Sequence, residues 1–297
     1  MNTKKGILYT LLSAGTFALT PLFIVKGYRA GASAWQMIFI QSIVASVILL
    51  LGLLIFAPRL LNVNGRELKI LGPIGLIGSL GTVICYNLSL QYISGGVATL
   101  LLYTYPVLVT IGSVTWLKNK LTVRQFMALG GALGGVALAT RILSLAGPEL
   151  NAKGLTLGLM AALFYTVLNL LSEKALNSLS AWKVTAFAQF GAALGILGIL
   201  FIKPDLIMFS EMKAVFWLYG GAVSVLCSIV PVYFLMKGIS NIGSGKAAII
   251  STAEIPLTLF LVFIFLDENF TLSQIAGSFL IFLSILLLKT EEGKSLA

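Results

Sequence analysis

No histidine occurs among the 297 residues. Its absence removes the commonest general base, the middle member of a catalytic triad and the commonest metal ligand. Charge is scarce as well. Asp, Glu, Lys and Arg make up 10% of the chain, against about 25% in a soluble domain. There are two cysteines, Cys85 and Cys227, far apart and each inside an apolar run. No disulfide framework is expected from them, only buried reduced thiols. What fills the chain is apolar: 58% of the residues are hydrophobic and the mean hydropathy is +1.01. Such a sequence takes lipid as its solvent. At about 20 residues per bilayer-spanning helix, there is room for roughly ten spans and almost nothing else. Any site must lie among helices, and neither a metal nor a cofactor is expected.

Ten long apolar runs are present: 6–25, 35–57, 69–90, 96–116, 124–145, 154–173, 182–202, 213–236, 246–266 and 272–288. The expected fold is an all-α integral membrane protein. The formal charge of +10 reads as a topology signal rather than as a nucleic-acid footprint. With the N-terminus inside, fourteen Lys and Arg fall on inner loops and six on outer ones (Lys26, Arg29, Arg141, Lys153, Lys203 and Lys213). That is the positive-inside pattern. It places both termini in the cytoplasm, with a bacterial inner membrane as the expected location. The first run resembles a signal peptide, with Ser13-Ala14-Gly15 as a cleavage site. It recurs in mid-chain, however, where no signal peptide belongs.

That recurrence is the most informative feature. Lys5-Gly6-Ile7 returns as Lys153-Gly154-Leu155 at an offset of 148, and Phe17 then matches Tyr165. Ser33-Ala34-Trp35 returns as Ser180-Ala181-Trp182 at 147, and Tyr86 matches Tyr233. LKNKLTVRQ (117–125) returns as LDENFTLSQ (266–274) at 149. The chain thus divides into two five-helix repeats, residues 5–145 and 153–289. Five is odd, so the second repeat enters the membrane from the opposite side. Inverted repeats build many secondary transporters, whose sites lie near the midplane between the halves.

Ten spans, two repeats and small-residue turns into span four (Ser94 to Ala98) and span nine (Gly243 to Ala247) carry a resemblance. So do the Leu-x-x-x-[Leu/Phe]-Thr-x-x-Gln junctions at 117–125 and 266–274. Over essentially its whole length the sequence resembles the EamA-like branch of the drug/metabolite transporter superfamily. The resemblance implies export or exchange of a small metabolite. Two departures are visible. Family members often carry Glu-Pro in span nine, whereas Ile255 here separates Glu254 from Pro256. The first junction has Lys118-Asn119-Lys120 where an acidic residue is usual.

Glu254 is the one ionisable side chain near the middle of a span. A charge there costs about 2.5–3.5 kcal/mol on insertion scales, and intramembrane carboxylates are functional by default. Ser251 and Thr258 flank it at helical spacing. The group is a candidate proton carrier or anchor for a substrate cation; the plainer alternative is a neutral carboxyl bonded to nearby hydroxyls. Tyr105 aligns with it in span four. Further candidates for a substrate path are Tyr86, Tyr103, Tyr165 and Asn169, with Glu173 one turn beyond Asn169. Pro21, Pro106 and Pro256 are candidate helix kinks. Serines and threonines such as Ser13, Ser79, Thr82 and Ser89 serve equally well as bonds between helices. Gly130–Gly134, Gly131–Gly135 and Gly191–Gly195 read as close-packing pairs, and Ser240 to Ala247 (SNIGSGKA) falls short of a phosphate-binding loop.

The expected function is secondary active transport of a small metabolite (amino acid, amine or amphipathic compound), with export and proton coupling as its anticipated form. The alternative within transport is an antiporter of phosphorylated metabolites or nucleotide-sugars, which calls for buried Lys or Arg. A membrane-embedded enzyme is disfavoured for want of a His, Cys or paired-acid cluster. The expected partners are a small-molecule substrate and the lipid bilayer, with no nucleic acid, in a monomer or homodimer.

Overall fold

A computed structural model describes residues 3–93, 95–140, 151–266 and 271–289. The end of span five (141–145), Arg141, Ser94, Lys294 and the acidic turn at 267–270 lie outside these residues. Among the described residues the chain is all-helical. In the first half, span one comprises α1 (Thr3–Phe17) and α2 (Thr20–Arg29), and span two is α3 (Ala34–Phe56). Span three comprises α4 (Gly65–Pro73) and α5 (Leu80–Ser89), joined by a π-helical segment, Ile74–Ser79. Span four comprises α6 (Gly95–Leu102) and α7 (Tyr105–Thr115), and span five is α8 (Val123–Ala139). In the second half, α9 (Ala152–Leu176) and α10 (Ala181–Ile202) are spans six and seven. They are followed by α11 (Ala214–Ser224), a second π segment at Val225–Ile229, α12 (Val230–Ser251), α13 (Glu254–Leu266) and α14 (Leu272–Lys289).

Seven helical runs are long and apolar enough to cross a bilayer by themselves. One of them, Ala214–Ser251, has 38 residues, or about 57 Å at 1.5 Å per residue. That is nearly twice the hydrocarbon thickness. It turns at Gly243, whose φ of 79° and ψ of 161° are not helical and favour a residue without Cβ. The run therefore carries span eight and the first part of span nine, and α13 completes span nine. With α8 and α14 as spans five and ten, each half contributes five segments.

The recurring sequence landmarks are helix caps. Ser33 and Ser180 accept the backbone N–H groups of Gln36 and Lys183. Gln125 and Gln274 return a side-chain oxygen to the N–H groups of Thr122 and Thr271. These bonds satisfy orphan donors at helix starts, and in lipid no water replaces them.

Three spans are interrupted: at Ala18–Leu19, at Tyr103–Thr104 and at Thr252–Ala253. Each break lies two or three residues before one of the expected kink prolines. Pro21, Pro106 and Pro256 sit in the first turn of the helix that restarts, where a missing N–H does no harm. Span nine is thus not one continuous helix over 246–266. Ser251 ends α12, whereas Glu254 and Thr258 belong to α13.

Packing is chiefly between halves. α1 lies against α12, α9 against α5 and α6, and α8 against α14. Two close approaches are copies of each other. A Cβ on Gly6 would meet Ile242 at 2.5 Å, and one on Gly154 would meet Ile93 at 2.7 Å. Gly135 approaches the Gly277 carbonyl, and Gly191 approaches the backbone of Gly75, so these two pairs serve packing within the chain, whereas a Cβ on Gly130 would have no neighbour within 4 Å. Large apolar side chains such as Leu51, Leu54, Phe201 and Leu218 remain exposed, as lipid contact requires.

Candidate functional site

The breaks in spans four and nine occur at matching positions. Tyr103–Thr104 and Thr252–Ala253 are related by the repeat offset of 149, and the restarted helices open with Tyr105 and Glu254. A helix N-terminus carries partial positive charge and favours an anion. Glu254 occupies that position on α13.

Tyrosines from three other spans gather around its half-buried carboxyl. Tyr103, Tyr86, Tyr105 and Tyr165 all lie within electrostatic range of it. The Tyr105 and Tyr165 rings meet edge to face with centroids 4.6 Å apart, and Tyr103 and Tyr105 are 5.9 Å apart. Tyr86 is held by the Thr99 hydroxyl at 3.2 Å. The Tyr105 hydroxyl donates to the Ala248 carbonyl at 3.4 Å and lies beside Ser251. The Asn169 amide donates to the Tyr165 carbonyl one turn back at 2.8 Å.

The three tyrosines singled out from sequence thus converge on Glu254. Ser251 and Asn169 flank this ring from the side of α12 and α9. Thr258 turns elsewhere: its hydroxyl donates to the Ala18 carbonyl at 3.5 Å, at the break in span one. Two neighbours did not stand out in the sequence as lining groups. Tyr105 was known only as the repeat counterpart of Glu254. Cys227 lies within electrostatic range of Glu254 and beside Thr20; the two π segments, one of which carries it, were the signal, and they are not readable from hydropathy. The other hydroxyls serve packing. Ser13 donates to the Pro231 carbonyl, and Thr82 and Ser89 to carbonyls of their own helix.

Chemically, the ring offers one carboxyl, four phenols and several aromatic faces. That combination suits a positively charged or amine-bearing group, which is attracted both by the carboxylate and by ring quadrupoles. Among the described residues no three metal-ligating side chains cluster.

Two repeats packed against each other, with helices broken inside apolar spans beside an acid, are an architecture that secondary transporters share. The chain belongs to the EamA-like transporter family, whose model matches residues 4–141 and 152–290. It is similar to an uncharacterized transporter of Archaeoglobus fulgidus, 29% identical over 80% of this chain and 83% of that protein. It is also similar to the Bacillus subtilis uncharacterized transporter YcbK, 24% identical over 93% of this chain and 90% of that one. A solved crystal structure matches all of both chains with a TM-score of 0.81 at 14% identity, a likeness of fold alone.

Proposed function

We propose that this transporter moves an amine-bearing small metabolite, such as an amino acid, an amine or an amphipathic cation, by alternating access, with export as its direction. Glu254 receives the substrate ammonium group or, in its absence, a proton. The observation that carries the reading is the placement of a single carboxyl at a half-helix N-terminus inside a ring of tyrosines. Phosphorylated substrates fit less well, because among the described residues no Lys or Arg acts on Glu254. One chain supplies the whole ring, so a monomer suffices for it.

The test is uptake of a metabolite panel into proteoliposomes, with and without an imposed proton gradient. Amines and amino acids are expected to move, whereas sugar phosphates are not. Gln keeps the size and hydrogen-bonding capacity of Glu but cannot ionise. Glu254→Gln is therefore expected to insert and fold yet lose net flux, and normal flux through it removes the coupling role.

The orientation is part of the same reading, with both termini in the cytoplasm of a bacterial cell. Single cysteines at Gly31 and Asn151 are expected to react with an impermeant thiol reagent on intact cells, and one at Asn64 is not. Labelling at Asn64 reverses the orientation.

A further inference from the structure

Glu173 is the one acid of span six's polar face, one turn beyond Asn169. It bridges three separate elements. Its Oε1 accepts the Asn119 side-chain amide at 2.8 Å, from the junction that follows span four. Its Oε2 accepts the Ser244 backbone N–H at 2.7 Å and also the Ser244 hydroxyl, from the turn between spans eight and nine. Asn119 is fixed in turn by its own N–H, which donates to the Ser113 carbonyl at 2.9 Å. Gly243, in its left-handed conformation, aims the next N–H at the carboxylate, and a Cβ there would stand 3.4 Å from Oε1. Carboxylate bonds of this kind are about twice as strong as neutral ones.

Beside this junction lies a cavity of about 240 Å³, lined by Thr110, Ser113, Asn119, Gln125 and Glu173 among others. On the helices that carry the junction and flank the tyrosine ring, buried polar atoms stand without protein partners: the Thr110 and Ser172 hydroxyls, the Asn169 amide oxygen and the Ser251 hydroxyl, while the Thr20 and Thr185 hydroxyls do so elsewhere. The first four belong to α7, α9 and α12, which pack against one another. Buried polar atoms are normally satisfied, so a group of unsatisfied ones marks where water or a polar ligand belongs. The repeat counterpart of Glu173 is Val25, and that of Ser244 is Gly95. The repeat positions of this acid and this hydroxyl thus carry neither group.

We propose that the bonds from Glu173 to Asn119 and Ser244 are the inner gate of the transport pathway, shut in this structure, and that the unpartnered polar atoms of α7, α9 and α12 mark the route that opens when they part. The proposal rests on the alternating-access reading and the orientation given above, but not on the identity of the substrate. Substrate enters from the cytoplasm through this end and reaches Glu254 once the span eight–nine turn swings off span six.

The test reads accessibility rather than flux. A single cysteine is placed at Ser251 in a chain carrying Cys85→Ser and Cys227→Ser. Its reaction with a small, impermeant, positively charged thiol reagent is timed from each side, in inside-out and right-side-out vesicles. Glu173→Ala is expected to raise the rate from the inner side about tenfold or more, the scale of one to two charge-assisted bonds, and to lower it from the outer side. Asn119→Ala removes one bond from an exposed residue and is expected to give a smaller change of the same sign, which guards against a variant that fails to fold. Rates unchanged on both sides overturn the gate. A rise on both sides overturns it too, because that is a loosened bundle. Absence of amine flux with the labelling pattern intact rejects the substrate reading and leaves the gate standing.

Discussion

Spans four and nine are copies in position and opposites in chemistry. Both break at the same repeat position and restart two residues later, but one restarts with Tyr105 and the other with Glu254. Spans one and six differ in the converse sense. Span one breaks before Pro21, whereas α9 runs unbroken for 25 residues with Asn169 at the proline's repeat position. Backbone geometry was kept in one pair and chemistry was exchanged; in the other pair the backbone itself diverged. In both pairs the carboxylates, Glu254 and Glu173, fell to the second half. Duplicated architecture thus supplies two similar halves, and their carboxylates make them chemically unequal.

The largest expected effect comes from exchanging the comparison at its centre. Glu254→Gln should reduce net flux at least 100-fold, about 2.7 kcal/mol at 1.36 kcal/mol per decade. Tyr105→Phe, at the matching position, keeps the ring and loses only the hydroxyl bond to Ala248. It should lower flux by less than tenfold, and equal losses in the two would refute the division of labour.

Next come the duplicated close approaches. Gly6→Ala and Gly154→Ala each force a methyl against an isoleucine on the opposite half. Each should cost about 1–3 kcal/mol, read as similar drops in Tm in detergent. A drop in only one would show that the two interfaces are not equivalent.

A third pair links the halves at their rims. Lys183 donates to the Asn62 carbonyl at 2.7 Å and to Glu67 at 2.8 Å; its counterpart Gln36 donates to the Met208 carbonyl at 3.4 Å. Lys183→Met should lower Tm more than Gln36→Met does, because it strands the Glu67 carboxylate at the protein edge. Thermal scans of both variants check the ranking.

The smallest effect is expected at the edge of the ring. Tyr86→Phe removes one neutral bond to Thr99. It should shift substrate affinity by about twofold to fivefold, the scale of a 0.5–1 kcal/mol hydrogen bond, without changing protein abundance.

Much of this organisation was legible in the sequence. Long apolar runs located the spans, and the offset near 148 between Gly6 and Gly154, or between Ser33 and Ser180, declared the repeat. Glu254 was conspicuous because an acid in an apolar run has few neutral explanations. The breaks were not legible in the same way. Inside a bilayer every face of a helix is apolar, so hydropathy carries no mark at Thr252–Ala253 or at the π segment around Cys227. Those departures depend on partners far along the chain, as when Thr258 bonds the carbonyl of Ala18, 240 residues away. Prolines signalled that helices change there, but not that the break precedes them. Tyr105 escaped notice as a lining group because its place in the ring requires Tyr165 and Ala248, both brought from the other half.

The packing of span one on span eight, and of span six on span three, bears on how the protein is made. Most of the partners of the first five helices belong to the second five. A ribosome delivers the first five before those partners exist, so faces such as Gly6 and Gly78 meet lipid first and helices afterwards. Maturation is therefore a late docking of two inserted halves. A chain cut in the 141–150 connection should reassemble when both pieces are made in one cell, and neither piece should accumulate alone.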